Sequence, residues 1–328
     1  MIIRKIILYL CFLPVISFAE NISVLTIYAP DYFVSEWGPG PKIEEAFEKN
    51  CNCDLKFVSG DPLSKLILEG KSTQADILMG LSSHNISKAR KSNLLSDINF
   101  DFSLPQLPIV WEDSTFIPFD WSYVSFIIDN TKIKNPPKSF VEMANDSRDY
   151  KIIIQDPRTS PSGLALILWI KSIYGEKAFD IWSKLSSKIL TVTKGWSESY
   201  GMFTSGEAEM VLSFTTSQAY HEIAENDKTK TAIIMDEGHY VYVELAAKVK
   251  KEENQVLSNQ FMKFIINEEF QKIIPLNNWS FPVNLSEENW PKEFKNLPKP
   301  TKAIYLNEEN STKIKMLAIE EWLEAMSK

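Results

Sequence analysis

Apolar residues recur along the chain in two rhythms. Short runs rich in Val, Ile, Leu, Tyr and Phe read as strands, and stretches with apolar residues three and four apart read as helices. ISVLTIYAP is a first strand, and GPKIEEAFEKNC follows as a helix with Ile43, Ala46 and Phe47 as its apolar positions. DLKFVSG is a second strand, LSKLILEG a helix, and ADILMGLS a third, buried strand. TFIPFDWSYVSFIID is a long strand-like run with Pro118 inside it, which suits a bend or a crossover.

The second half repeats the plan. YKIIIQD is a strand that leads through a polar turn into a buried helix. KILTVTKGWSESYGMF and AEMVLSFTTSQAYHEI each read as strand, turn and helix, and EGHYVYVELAAKV crosses back. Helices NQVLSNQFMKFII and NEEFQKIIP follow, and STKIKMLAIEEWLEAMSK closes the chain as a helix with Met316, Ile319, Trp322 and Leu323 on one side. Strands alternating with helices predict an α/β architecture, and the length predicts two lobes rather than one core. The expected division is residues 20–117 and 244–300 for one lobe and 118–243 for the other. Crossovers fall near 117–122 and 238–243, and 301–328 forms a closing helix. Polar and aromatic residues gather at the carboxyl ends of the strands, where open α/β sheets bind ligands. A cleft between two lobes is the expected site.

The ends and the charge narrow the function. Arg4 and Lys5 precede an apolar stretch, Ile6 to Ser17, and Ser17-Phe18-Ala19 is a small-x-small cleavage pattern. Residues 1–19 are therefore expected to be a signal peptide, leaving an exported, soluble protein. Cys11 follows Leu10 rather than a small residue, so no lipid attachment is expected. Losing Arg4 and Lys5 moves the net charge from −8 to −10. That balance disfavours nucleic acid and suits a cationic ligand. Nine tryptophans and 12% aromatics raise the prospect of an aromatic-lined site. The remaining cysteines, Cys51 and Cys53 in CNC, read as a small structural bridge or two thiols. His84, His221 and His239 are scattered, and no metal-ligand spacing is visible.

Several turns supply candidate ligands. QDPRTSPSGLALILW, at Gln155–Trp169, places Ser160, Ser162 and Gly163 at a helix start, where unpaired N–H groups and the helix dipole favour an anion. The ordinary reading is that the serines cap the helix. Trp37 stands in APDYFVSEWGPGP and Asp61 in VSGDP. Trp196 lies in TKGWSESYG, Tyr220 in SFTTSQAY and Trp279 in LNNWSFP. Each could instead be a packing or turn residue. Their recurrence at strand ends, beside one acid and one anion turn, favours a shared site.

In combination, SEWGPGP, CNCDLK, QDPRTS, TVTKGWSE, YGMF, LSFTTSQAYH, EGHYVYVE and NNWSFPV resemble the thiamine-binding periplasmic proteins of bacterial ABC importers, in order from about residue 24 to the C-terminus. The resemblance implies a two-lobed, type II periplasmic binding fold that delivers thiamine, and thiamine mono- and diphosphate, to a membrane permease and its ATPase. It implies no enzyme activity, cofactor or metal, and a monomer. Carried onto this chain, the family's binding positions are Trp37, Asp61, Ser160, Trp196, Tyr220 and Trp279, and Ser162 and Gly163 join them from the local argument. The match departs at Pro30, which takes a tyrosine's place with Tyr32 nearby, at Phe214, and in a shorter segment between Val58 and Glu69.

Thiamine's chemistry suits these residues. Aromatic faces hold its thiazolium cation, a carboxylate such as Asp61 accepts from its amino group, and a helix N-terminus suits its hydroxyl or phosphate arm. The rival ligands are a polyamine, which wants several carboxylates, and ferric ion, which wants adjacent tyrosines that this chain lacks. The rival class is a thiamine-degrading enzyme on the same fold. It needs a cysteine beside a base, and Cys51 and Cys53 precede a strand instead of ending one.

Overall fold

The computed structural model describes residues 22–327, so the expected leader at residues 1–19 lies outside them. The strands are β1 (Ser23–Ala29), β2 (Cys53–Ser59), β3 (Ile77–Ser82), β4 (Leu95–Ser96), β5 (Phe116–Asp129) and β6 (Ile152–Gln155). They continue as β7 (Ile189–Thr193), β8 (Met210–Phe214), β9 (Lys230–Ala232), β10 (His239–Val249), β11 (Phe281–Pro282) and β12 (Ala303–Ile304). The helices begin with α1 (Asp31–Val34), α2 (Gly40–Glu48), α3 (Pro62–Glu69), α4 (Ile86–Lys91), α5 (Phe140–Asn145), α6 (Pro161–Tyr174) and α7 (Ala178–Leu185). They end with α8 (Trp196–Thr204), α9 (Ser217–Ala224), α10 (Gln255–Phe264), α11 (Glu268–Asn277), α12 (Lys292–Lys295) and α13 (Glu308–Met326). No helix among the described residues is long and apolar enough to cross a membrane.

The strands form one mixed sheet in the order β2-β1-β3-β10-β5-β8-β6-β7. At each end the strands are parallel, as helical crossovers require: β1 pairs with β2 and β3, and β6 with β7 and β8. In the middle β10 lies antiparallel to both β3 and β5. All of β10 is buried, which is why its sequence reads as a near-continuous apolar run. The β5–β10 ladder shifts register between Glu244 and Leu245, and Pro118 pairs with Leu245 at that point. The proline flagged in the sequence therefore sits at an irregular rung, where its missing N–H matters least.

Helices cover both faces. Ile43 and Phe47 of α2 and Phe261 of α10 pack with Leu25, Ile27 and Ile77 in one core. A second core joins Val124, Ile152 and Ile154 to α6, whose residues from Ser162 to Lys171 are all buried. Such a helix needs covering on every side, and α13 supplies part of that cover through Ala318, Trp322 and Ala325. Lys171 of α6 is buried and pairs with Glu321 of α13 at 2.6 Å. The apolar side expected for α13 is only partly right. Met316 is 63% exposed and Leu323 38%, because the small residues Ala318 and Ala325 set the close approach around Trp322. Cys51 and Cys53 are joined by a disulfide at the start of β2.

Candidate functional site

The polar turn after β6 is a clamp between elements. Asp156 N donates to Thr193 O at the end of β7 (2.8 Å), and Thr159 Oγ1 donates to Lys194 O (2.7 Å). Arg158 folds back on Asp156, with Nε to Oδ1 at 2.9 Å and Nη2 to Oδ2 at 2.5 Å. The guanidinium holds the Asp156 carboxyl below its ordinary range. The turn thus ties the segment leading into α6 to the segment leading into α8.

Ser160 occupies the N-cap position of α6 without making a side-chain cap bond. Its hydroxyl lies 2.9 Å from that of Ser162, which donates to Gln155 Oε1 at 2.9 Å. Gln155 Nε2 in turn donates to Ser199 Oγ of α8 (2.5 Å) and Leu212 O of β8 (3.0 Å). The first bond of α6 runs from Leu164 N to Ser160 O, which leaves the N–H groups of Ser162 and Gly163 in the first turn, where a helix has no internal acceptors. Gly163 is required by a close approach: a Cβ there would stand 2.3 Å from Gln155 O. Gly163→Ala is expected to destabilise the fold by about 1–3 kcal/mol through overpacking. A thermal midpoint equal to wild type would mean that α6 can move off β6 freely.

Trp196, Tyr220 and Trp279, far apart in sequence, join one chain of ring contacts. Trp196 stacks on Tyr200 at 4.6 Å and Tyr200 on His221 at 5.7 Å. His221 meets Tyr220 at 5.1 Å, and Tyr220 meets Trp279 edge-on at 5.0 Å. Trp196 Nε1 donates to Ser213 Oγ at 2.8 Å, so it is both a helix-start residue and a ring whose tilt is fixed. Trp279 has φ +53°, a left-handed backbone that a bulky residue rarely adopts. His221 Nδ1 lies 2.6 Å from Glu225 Oε2, and its Nε2 2.8 Å from Tyr200 OH. His221, Glu225 and Asp227 bring metal-competent atoms within 4.8 Å of one another. The trio is internally satisfied, since Asp227 also pairs with Lys230 at 3.6 Å.

The two remaining candidates lie on loops before helices. Trp37 is 62% exposed between α1 and α2, where Gly38 and Gly40 press the loop so tightly against α1 that a Cβ would meet its carbonyls at 2.2 and 2.8 Å. Asp61 caps α3, accepting from Ser64 N at 3.0 Å and Ser64 Oγ at 2.9 Å.

Sequence reasoning missed a pair of carboxyls in the middle of the sheet. Asp120 of β5 and Glu244 of β10 are register partners, 0% and 6% exposed. Asn278 Nδ2 donates to Asp120 Oδ2 at 2.6 Å and to Glu244 Oε2 at 2.9 Å, and Tyr32 OH donates to Glu244 Oε1. Burial, and then the Glu244 charge, push Asp120 well above the carboxylate range, and burial raises Glu244 too. The signal was there: each is the one acid inside an apolar strand run, at FIPFDWSYV and HYVYVELAA.

A family model described as bacterial extracellular solute-binding protein matches residues 72–313. A thiamine-binding periplasmic protein of Brucella melitensis is 42% identical over 308 residues, covering 93% of this chain and 92% of its own. One of Escherichia coli K12 is 39% identical over 325 residues, covering 98% of each. A solved periplasmic thiamin binding protein superposes with a TM-score of 0.89 at 39% identity, covering 94% of this chain and 98% of that one. A ferric binding protein from Campylobacter jejuni, at TM-score 0.76 and 18% identity, shares the fold. The fold is that of the periplasmic binding proteins.

Proposed function

This chain belongs to the bacterial extracellular solute-binding proteins, and to the thiamine-binding periplasmic proteins among them, and from that premise we propose that it captures thiamine for an ABC importer. It acts as a binding protein and not as an enzyme. The observation that carries the ligand is the run of rings from Trp196 to Trp279, tied through Ser199 and Gln155 to the N-terminus of α6. One end offers aromatic faces to the thiazolium cation, and the other offers N–H groups to the hydroxyethyl arm or its phosphate. Asp61 accepts from the aminopyrimidine, and Trp37 covers the loop side. Thiamine mono- and diphosphate are further ligands. The protein is a monomer, is exported by cleavage after Ala19, and hands its ligand to a permease driven by an ATPase.

Calorimetry is expected to give one thiamine per chain, with quenching of tryptophan fluorescence. No saturable heat with thiamine or either phosphate ester at high micromolar concentration removes this reading. Ser160→Ala is expected to weaken thiamine monophosphate more than thiamine, by about tenfold, since a hydrogen bond to a charged group contributes roughly 1.5–3 kcal/mol. Equal weakening of both would make Ser160 a residue of the turn alone.

A further inference from the structure

Asp120 and Glu244 belong to a buried polar row that crosses three strands. Ser82 of β3 is the register partner of Glu244, which in turn faces Asp120. Ser82 is 1% exposed and its hydroxyl has no hydrogen-bond partner, nor has Asp120 Oδ1. Among the described residues, no Lys, Arg or His comes within ion-pair distance of either carboxyl. The groups facing the pair are Tyr32 from α1, Tyr242 from β10 and Asn278 after α11. Burial and the nearby carboxyls push both tyrosines well above the ordinary phenol range, so they remain neutral donors. Two adjacent carboxyls in such a setting cannot both ionise. A proton or a cation must balance them, and the protein supplies no cation.

The row adjoins the ring wall. Asn278, which donates to both carboxyls, is followed directly by Trp279, the ring against Tyr220. We propose that the Asp120–Glu244 pair is the proton-exchanging counter-charge for the ligand's cation. The pair holds one shared proton in the ligand-free protein and releases it to solvent when the cationic ring settles on Trp279. The charge balances at each stage: one proton leaves as one fixed positive charge arrives. The inference rests on the thiamine reading above.

The test is calorimetry of the wild-type protein with thiamine at one pH near neutrality, in buffers of different ionisation enthalpy. The expected result is an enthalpy that varies with buffer, corresponding to release of up to one proton per thiamine. Affinity should rise with pH by up to about tenfold per unit while the pair still holds its proton, then level off. A neutral analogue with the same aminopyrimidine but no charged ring nitrogen should release none. The double variant Asp120→Asn, Glu244→Gln should release none and should lose the preference for thiamine over the neutral analogue, with circular dichroism verifying its fold. Saturable binding with a buffer-independent enthalpy overturns this inference and leaves the thiamine reading standing. Absence of saturable heat overturns both. Release that persists in the double variant comes from another group and overturns the assignment.

Discussion

Trp279→Ala is expected to bind thiamine at least tenfold more weakly than wild type, about the change that 1.4 kcal/mol makes. The ring is half-buried, held edge-on to Tyr220 at 5.0 Å, on a residue in the left-handed region. Left-handed backbone costs an ordinary residue about 1–2 kcal/mol, so the surroundings hold this side chain where its own preference would not. Strain of this kind collects at binding sites. A cation desolvated over an aromatic face gains about 2 kcal/mol or more. Trp279→Phe keeps a face and should recover part of the loss. A neutral analogue should bind wild type weakly and lose little more in the Trp279→Ala protein. If both ligands weaken by the same factor, the ring acts by apolar packing. If neither weakens, Trp279 lies outside the binding surface.

The second large effect is on stability in acid. His84 is buried, with Nε2 against Tyr240 OH at 3.0 Å, and burial, helped by the Lys315 charge, lowers its pKa to about 3. His239 is also buried, accepting from Met235 N at 2.8 Å, and burial lowers it to about 4. Both folded values lie below the unfolded one of about 6.5. Below that pH the unfolded chain binds protons that the native one does not, so stability falls as pH drops from about 7 towards 4. At pH 5.5 the loss is about 1.4 kcal/mol per histidine. Asp120 and Glu244 act in the opposite sense, because their folded values are raised: their contribution is present in acid and lost as pH rises through those values. The clean measurement is therefore a difference. Denaturant unfolding of wild type should lose about 1.4 kcal/mol more between pH 7.5 and 5.5 than His84→Gln does. Identical slopes would mean that His84 can protonate in the native state.

The succession of elements was legible because each parallel half alternates apolar strands with amphipathic helices. β1 to β3 and β6 to β8 fall where the runs ISVLTIYAP, DLKFVSG, ADILMGLS, YKIIIQD, KILTVT and AEMVLSF put them. The sheet order was not legible. Nothing local tells β10 to enter between β3 and β5, since that pairing is decided by contacts more than a hundred residues apart. The same distance hid the carboxyl pair: Asp120 and Glu244 meet only through register. α4 and α5 escaped because each is a turn or two long, held by packing rather than by a sustained period, whereas α7 was legible in the helical spacing of Ala178, Ile181, Trp182 and Leu185 and was missed. Of the candidate residues, Trp196, Tyr220 and Trp279 could be named singly from strand ends, but their joining into one wall through Tyr200 and His221 could not.

The middle of the sheet also sets how the molecule can flex. β5 and β10 run side by side and carry the sheet from one half to the other. Two hydrogen-bonded strands, rather than slack loops, therefore join the halves of the sheet. A ribbon yields where its cross-links are irregular, and this one has its register shift between Glu244 and Leu245, opposite Asp120 and Pro118. The irregular rung and the buried carboxyls therefore occupy the same stretch of the ladder, so whatever bends the ribbon there also changes the surroundings of Asp120 and Glu244.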